Sequence, residues 1–583
     1  MISTTAGQTA IKLVDVLVVG SGAAAFTAAI TARKRGLEVL MVEKDAVFGG
    51  TTCFSGGVMW IPGNRHSASL GPDSREQART YIAQEAGEHY DAARVEAFLD
   101  NGPEMIEFLE RETELECYPF SYPDYHPSYP GHATVRSIGT KDYEAWRLGK
   151  YRKLLRQGLT QTNFMGLAVG SNVEMKQLMS AGRSLKGVAF VIRKFAGVFR
   201  DVLRYGKPDP VTRGRALIAR LSRSAFDCGV ELWLSSPAKE LVFADGRVQG
   251  ADIQTKDGRV RVMARKGVVL ASGGFPHDAV RTAKVYPHMA AGREHRSLAN
   301  PGNTGDGARM AESAGGWVDT AVQQPAAWMP VSVIPYFQGP KGLWPHIVDR
   351  QKPGFIAVTT EGKRFFDEAA PYHDFVPAMV KACEHLPQTF CYLLCDHRTI
   401  RRYGLGFVKP APVPFGQHVR SGYILRGETL ADLARQAGID AAELERTVAR
   451  FNEHARLGTD PEFGRGGNIY DHSQGDPDHK PNPNLAPLDV GPFYALKLVA
   501  GDIGNFSGIR TDGSARVVTR DGLPIPGLYA AGNDALSFNS GAYVGAGATL
   551  GPGMTLAYIA AKHIAAAAAE PAAQAATPMK ESA

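Results

Sequence analysis

The apolar residues of this chain change their spacing several times, and each change marks an element. Val14 to Val19 is a near-continuous apolar run, the pattern of a strand buried on both faces. An alanine-rich stretch to about Arg35 reads as a helix, and Val39 to Val42 reads as a second buried strand that ends at Glu43. Residues 75 to 113 carry helical periodicity, and a tyrosine- and proline-rich loop follows them. Gly214 opens another helix, Glu231 to Leu234 reads as a strand, and Ala238 to Gln254 reads as a hairpin turning at Asp245-Gly246. Arg265 to Phe275 is a strand that runs into glycines, and Asn303 to Gly307 opens a further helix. From about 280 to 490 the pattern is mixed and holds no phosphate-binding loop. Asp521 to Asn533 then reads as a turn, a short strand and a glycine turn.

This order predicts an α/β fold: a Rossmann-like domain built from both chain ends, with an inserted α+β substrate domain. The expected division is residues 1–280 and 491–566 for the dinucleotide-binding domain, 281–490 for the substrate domain, and 567–583 for a disordered, alanine-rich tail. The first part carries an insertion at about 140–210. Within it, residues 183 to 207 place Val188, Val191, Ile192, Phe195, Val198, Phe199, Val202 and Leu203 on one helical face. Arg183, Lys186, Arg193, Lys194, Arg200, Arg204 and Lys207 supply positive charge against Asp201 alone. Such a helix either packs on its own domain or lies in a membrane interface.

Composition narrows the classes. The 583 residues are 44% hydrophobic and 21% charged, ordinary for a globular enzyme of two or more domains. A net charge of +6 is modest for this length, and no aromatic-basic module accompanies it, so no nucleic-acid partner is expected. No run of about 20 apolar residues predicts a membrane span. The six cysteines form no C-x-x-C pair, which predicts reduced thiols, no zinc or other metal site and a cytoplasmic setting. The first residues, MISTTAGQTAIK, lack the apolar core of a secretory signal.

The turn after the first strand carries chemistry. Gly20-Ser21-Gly22-Ala23-Ala24-Ala25 is a G-x-G-x-x-A turn in its required strand–turn–helix setting. Gly20 permits the tight turn, and Gly22 lets the backbone approach a pyrophosphate. Ala25 lets helix and strand pack closely, and the helix N-terminus offers free N–H groups. Glu43 stands where a carboxylate holds ribose hydroxyls. Lys44, Gly49, Gly50, Thr51, Thr52, Ser55, Gly56 and Gly57 then form a glycine and hydroxyl cluster that suits a flavin, not a nicotinamide. The expected cofactor contacts are Gly20, Gly22, Ala23, Ala24, Glu43, this cluster, Ala238, Gly273, Asn303, Asp306, Gly532, Asn533, Ala548 and Leu550.

The segments GSGAAA, FGGTTCFSGGVMWIPGN, FSYPDY, GRAL, GVVLASGGF, NTGDGA, EGKRFFDEAAPY, GLYAAGN and YVGAGATLGPGMTLAYIAA together resemble one family. It is the FAD-dependent 3-ketosteroid 1-dehydrogenases, within the fumarate reductase flavoprotein superfamily. The resemblance covers nearly the whole chain outside the insertion. It implies bound FAD and four site residues: Tyr125 after Pro123-Asp124, Tyr372 after Glu368-Ala369-Ala370-Pro371, Tyr543, and Gly547 four residues later. It further implies roles. Tyr372 takes the proton at carbon 2, Tyr125 stabilises the Tyr372 phenolate and relays its proton, and the Tyr543 hydroxyl with the Gly547 N–H polarises the ketone. The helix opening at Leu550 aims its N-terminus at the flavin. A neutral, greasy ketone suits an apolar pocket with few polar groups, and negative charge growing on its oxygen calls for aimed donors.

Residue types also argue by what they replace. Between Asn533 and Tyr558 there is no Arg and no His to hold a dicarboxylate, which opposes a fumarate-reductase-like reductase of small acids. Thr52 and Cys53 stand where covalent-flavin members carry a His, so non-covalent FAD is expected. No second nucleotide fingerprint is present, which points to a quinone or another electron acceptor. The alternative within the class is a 4-dehydrogenase of 5α-3-ketosteroids or another enone-forming flavoenzyme.

Overall fold

The computed structural model describes residues 10–162, 185–206 and 209–567. Residues 163–184 and 207–208 of the insertion, with Arg183 and Lys207, and residues 568–583 of the expected tail lie outside the described residues.

The near-continuous apolar runs become the middle of an eight-stranded sheet. Its path runs Arg516–Val518, Pro524–Ala530, Gly258–Leu270, Ala10–Val19, Val39–Val42 and Glu231–Trp233. Ala10–Val19 pairs in parallel with Val39–Val42 and with Gly258–Leu270, setting Val18 beside Met41 and Val269. Pro524–Ala530 joins the far side of Gly258–Leu270, also in parallel. The two chain ends thus share one sheet. The hairpin Ala238–Ala244 and Arg247–Thr255 extends Gly258–Leu270 in antiparallel fashion.

Helix Ala23–Lys34 covers one face of this sheet beside helices Arg213–Asp227 and Leu550–Ala567. Its Ala25, Ala28, Ala29 and Ala32 are buried, and their small side chains permit that close approach. Phe26 meets Phe48 and Phe226 edge-on at 5.9 and 6.3 Å. Met310 and Ala311 of helix Asp306–Ser313 close the other face.

The inserted part holds a six-stranded sheet: Leu343–Pro345, Val331–Val333, Phe493–Val499, Phe390–Asp396 and Phe355–Val358 in path order, with Leu425–Gly427 also on Phe493–Val499. Phe355 and Ala357 pack with Phe375, Val376 and Met379 of helix Tyr372–Ala382. Ile356 and Val358 face Leu433, Leu444 and Val448 on the other side. That alternation is the period of two of a strand buried on both faces. The strand Phe493–Val499 carries this sheet past residue 490, where the sequence pattern suggested the division.

Helix Leu185–Tyr205 is turned inside out. Among its described residues Gly187, Phe190 and Asp201 are buried, Asp201 at 6% exposure. Ile192, Phe199 and Leu203 on the opposite face are 64%, 67% and 73% exposed, with Val188, Phe195 and Val202 beside them. The apolar face that the sequence groups together looks into solvent.

Candidate active site

The cradle begins where strand Ala10–Val19 stops. Gly20 takes φ +119, and a Cβ there would strike the Ala271 carbonyl, so glycine is required by both strain and space. Gly22 caps helix Ala23–Lys34 with no side chain on the cap and no acidic residue in the first turn. The second strand delivers Glu43, whose carboxylate accepts from Ser21 Oγ and, at 2.9 Å, from the Asp45 N–H. Burial raises its pKa, against the pull of these hydrogen bonds.

Ser21 Oγ also accepts from Gly49 N–H at 3.1 Å, and Thr52 Oγ1 accepts from Ala23 N–H at 3.1 Å. Thr51 Oγ1 accepts from Asn300 N–H and Asn303 Nδ2 at 3.0 and 2.9 Å, and Asn303 also reaches the Gly273 carbonyl at 2.9 Å. Lys44 Nζ joins Thr304 and Asp306 at 2.9 and 2.5 Å. Gly50 folds over Gly22, where an added Cβ would sit 3.7 Å from Gly22 Cα. Gly532, at φ +62, lies against Ala24. Gly532, Asn533, Ala548 and Thr549 line a crevice between helix Ala92–Glu112 and the start of helix Leu550–Ala567.

Some predicted residues sit apart. Ser55 Oγ donates to Thr52 O at 2.8 Å and accepts from Gly57 N–H at 3.2 Å, while Gly57 abuts the backbone of Arg213 and Gly214. Gly56 lies between them in the same turn. Ala238 pairs with Ile253 in the hairpin and adjoins the cradle through Ser236, whose N–H reaches the Glu43 carbonyl at 2.8 Å. Sequence reasoning missed Asp534, which accepts from the N–H groups of Ser272 and Gly274, the latter at 2.9 Å. Its position directly after the AAGN segment was the available signal. The glycine backbone, the uncapped helix N-terminus and the Glu43 carboxylate fit the pyrophosphate and ribose of FAD.

The second constellation is aromatic. Tyr125 and Tyr372, 247 residues apart in sequence, bring their hydroxyls to 3.0 Å. Tyr372 and Tyr543, 171 residues apart, bring theirs to 2.9 Å. Tyr125 and Tyr543 stack at 5.2 Å with their planes 4° apart, and Tyr372 stands edge-on to both. Tyr372 opens helix Tyr372–Ala382 behind Pro371, whose fixed φ suits the entry. Tyr125 N–H donates to Val544 O at 3.2 Å, which straps its loop beside Tyr543. Asp124 accepts from Trp60 Nε1 at 2.8 Å and Arg136 Nη1 at 2.6 Å, pinning the P-D-Y turn. Gly547 takes φ +96, and a Cβ would fall 2.7 Å from the Met59 and Trp60 backbone.

The three phenols differ electrostatically. Burial pushes Tyr125 and Tyr543 well above the ordinary tyrosine range. Burial also lifts Tyr372, but its hydrogen bonds with Tyr125 and Tyr543 hold it to about 12. Tyr372 is therefore the phenol of the three that ionises first. Tyr470, unmarked in the sequence, meets Tyr125 edge-on at 5.3 Å and Tyr122 at 6.0 Å.

Cations and imidazoles arrive from other elements. Arg94 Nη2 donates to Leu536 O and to Ser537 O at 2.8 Å, bracing the C-terminal loop. The Arg350 side chain is fully buried: Nη1 donates to Glu368 O at 2.6 Å, its guanidinium lies 5.0 Å from the Phe375 ring centre, and Nη2 has no partner. Its charge helps to lower Tyr372. The His373 ring lies 5.3 Å from that of Tyr543, and burial drives its pKa down to about 4, leaving it neutral.

Residues 15–550 match the model of the FAD binding domain family. The chain is 42% identical over 554 residues to the 4-oxocyclohex-2-ene-1-carboxylate 5-dehydrogenase of Sinomonas cyclohexanicum, covering 94% of this chain and 93% of that protein. It is 36% identical over 578 residues to the 3-oxosteroid 1-dehydrogenase of Mycolicibacterium smegmatis, covering 95% and 98%. The crystal structure of the 3-ketosteroid delta1-dehydrogenase from Sterolibacterium denitrificans, in complex with 1,4-androstadiene-3,17-dione, superposes with a TM-score of 0.88 at 34% identity, covering 95% of this chain and 100% of that one. The cradle's fit and the matched residues lead to one conclusion: the chain belongs to the FAD binding domain family and is an FAD-dependent oxidoreductase of the dehydrogenase type.

Proposed function

We propose that this protein desaturates a cyclic ketone beside its carbonyl, and that the ketone is a 3-ketosteroid dehydrogenated between carbons 1 and 2. The observation that carries the reading is the hydrogen-bonded set Tyr125, Tyr372 and Tyr543. Tyr543 and the Gly547 N–H hold the ketone oxygen and stabilise the charge that grows there. This acidifies the neighbouring carbon. Tyr372 acts as a phenolate stabilised by a hydrogen bond from Tyr125, takes that carbon's proton and becomes a neutral phenol. FAD, held without a covalent link by the turn at Gly20 and Gly22 and by Glu43, would supply the hydride acceptor, with a quinone or another acceptor taking up the electrons. Mixing the flavin-loaded protein with 4-androstene-3,17-dione and a dye acceptor tests the reading. Dye reduction with formation of the 1,4-diene supports it. No dye reduction with that ketone, but turnover of a 5α-saturated one, would move the assignment to a 4-dehydrogenase.

A second reading has its own support. The relative from Sinomonas cyclohexanicum is named for a small oxocyclohexene carboxylate, and Arg350, whose Nη2 is a buried donor without a partner, carries a charge that acts on Tyr372. The same chemistry on a 4-oxocyclohexene carboxylate needs such a cation. Faster turnover of that acid than of the steroid would decide for it.

No helix of the described residues is long and apolar enough to cross a membrane. The outward stripe Val188, Ile192, Phe195, Phe199, Val202 and Leu203, with Arg193, Lys194, Arg200 and Arg204 around it, instead suits the surface of an anionic bilayer. On this reading the protein is cytoplasmic and peripheral, drawing greasy substrates from the lipid. Sedimentation with phosphatidylserine vesicles supports it if Phe199→Glu with Leu203→Glu releases the protein. Equal binding by that variant refutes it.

A further inference from the structure

Nothing in the spacing of the tyrosines explains how their hydroxyls are held in register, since their loops and helices are far apart in sequence. His126 follows Tyr125 directly. Its Nδ1 lies 2.6 Å from Glu85 Oε1, and its Nε2 lies 2.9 Å from Asp374 Oδ2. Glu85 sits on helix Arg75–Ala86 with its side chain almost wholly buried. Asp374 sits in the first turn of the helix that Tyr372 opens.

A ring with a carboxylate at each nitrogen donates at both, which requires the imidazolium form. The backbone is tied in as well. His126 N–H donates to Tyr81 Oη at 3.1 Å, and the Tyr81 hydroxyl donates to Val544 O at 3.1 Å, next to Tyr543. One residue, adjacent to Tyr125, is therefore tied directly to the Tyr372 helix and through Tyr81 to the neighbour of Tyr543.

We infer that His126 is a positioning residue, a doubly bonded imidazolium that clamps the Tyr125 loop to the Tyr372 helix and keeps the two hydroxyls in hydrogen-bond contact. Burial alone would discharge this ring. Hydrogen bonds to Asp374 and Glu85, with their charges, reverse that and raise its pKa to about 11, so the clamp stays closed at neutral pH. Tyr129, 5.1 Å away, covers the ring.

The kinetic part of this inference rests on the proposed desaturation, and the structural part does not. The structural test is a crystal structure of the flavin-loaded His126→Ala variant, with Asp374→Asn as the second variant should the first fail to fold. The Tyr125–Tyr372 hydroxyl separation, 3.0 Å here, is expected to open beyond about 3.5 Å, out of hydrogen-bond range. An unchanged separation overturns the inference whatever the substrate proves to be. The kinetic test is a double-mutant cycle. His126→Ala is expected to lower kcat by ~10- to 100-fold, the scale of a misplacement near 1 Å, with KM within about threefold. In a Tyr125→Phe background the same substitution is expected to cost little more. Equal losses in both backgrounds would show that His126 does not act through Tyr125. Failure of the wild type to desaturate any cyclic ketone would count against the proposed function and leave the crystallographic result to decide on the clamp.

Discussion

The dinucleotide cradle and the tyrosine cluster are both buried and hydrogen-bonded, yet they are assembled in opposite ways. The cradle's centre comes from one short stretch, Gly20 to Thr52, in which the backbone is the surface offered and glycine spacing sets the geometry. The cluster comes from a loop, a helix start and a C-terminal turn, in which side chains meet and no spacing relates them. A site made of backbone is written into a local motif. A site made of distant phenols exists only after two sheets have packed. The two regions should therefore fail differently when altered.

Tyr372→Phe is expected to have the largest effect. Removing the base should lower kcat by ~10³-fold or more, the scale of general base catalysis, while flavin content measured by absorbance stays that of the wild type. Loss of flavin in this variant would blur the distinction between the regions. Tyr543→Phe removes one of two donors to the ketone and should cost ~10²-fold in kcat, with KM also raised, by steady-state kinetics. Glu43→Ala should do the converse of Tyr372→Phe. Losing a buried charged hydrogen-bond acceptor weakens flavin binding by ~10- to 100-fold on titration, while the rate per bound flavin is kept.

Two pH effects are smaller. Tyr372 must lose its proton to act, and its pKa is raised to about 12 in the folded protein. The value of kcat/KM should therefore climb as pH rises from 7 toward 10. Tyr125→Phe, which removes a bond that lowers this pKa, should move the climb to higher pH. In the substrate domain, burial would raise the pKa of Glu368, but Arg364 and Arg465 hold it near 2. A depressed carboxylate stabilises the fold above its ordinary pKa, and that stability fades as pH falls through the folded value. The Glu368 contribution to Tm, read as the difference between the wild type and Glu368→Gln, should thus be level above pH 5 and fall between about pH 4.5 and 2.

Much of the cradle was readable because the strand, turn and helix patterns coincide with the residues that build it. Val14–Val19, the alanines of the first helix and Glu43 all fall where their spacing indicates. The tyrosines were recognisable only through family resemblance, since Pro-flanked loop tyrosines carry no periodic signal. Tyr470, Arg350 and Asp534 were not recognised, because their roles come from tertiary packing. The strands of the inserted sheet are mostly three to seven residues long, too short for periodicity to separate them from loops. The outward face of helix Leu185–Tyr205 was undecided for another reason: an amphipathic pattern fixes which residues share a face, not which way the face points.

In the proposed reaction Tyr372 takes the proton beside the ketone. Deuterium uptake tests it apart from hydride transfer. The flavin-loaded protein is first reduced, so that no hydride is accepted, and is then held without oxygen in D2O with 4-androstene-3,17-dione. Mass spectrometry reads the label at carbon 2. Rapid uptake is expected with the wild type, and uptake at the buffer rate with Tyr372→Phe. Equal uptake by both proteins would contradict that role of Tyr372 and place the base elsewhere.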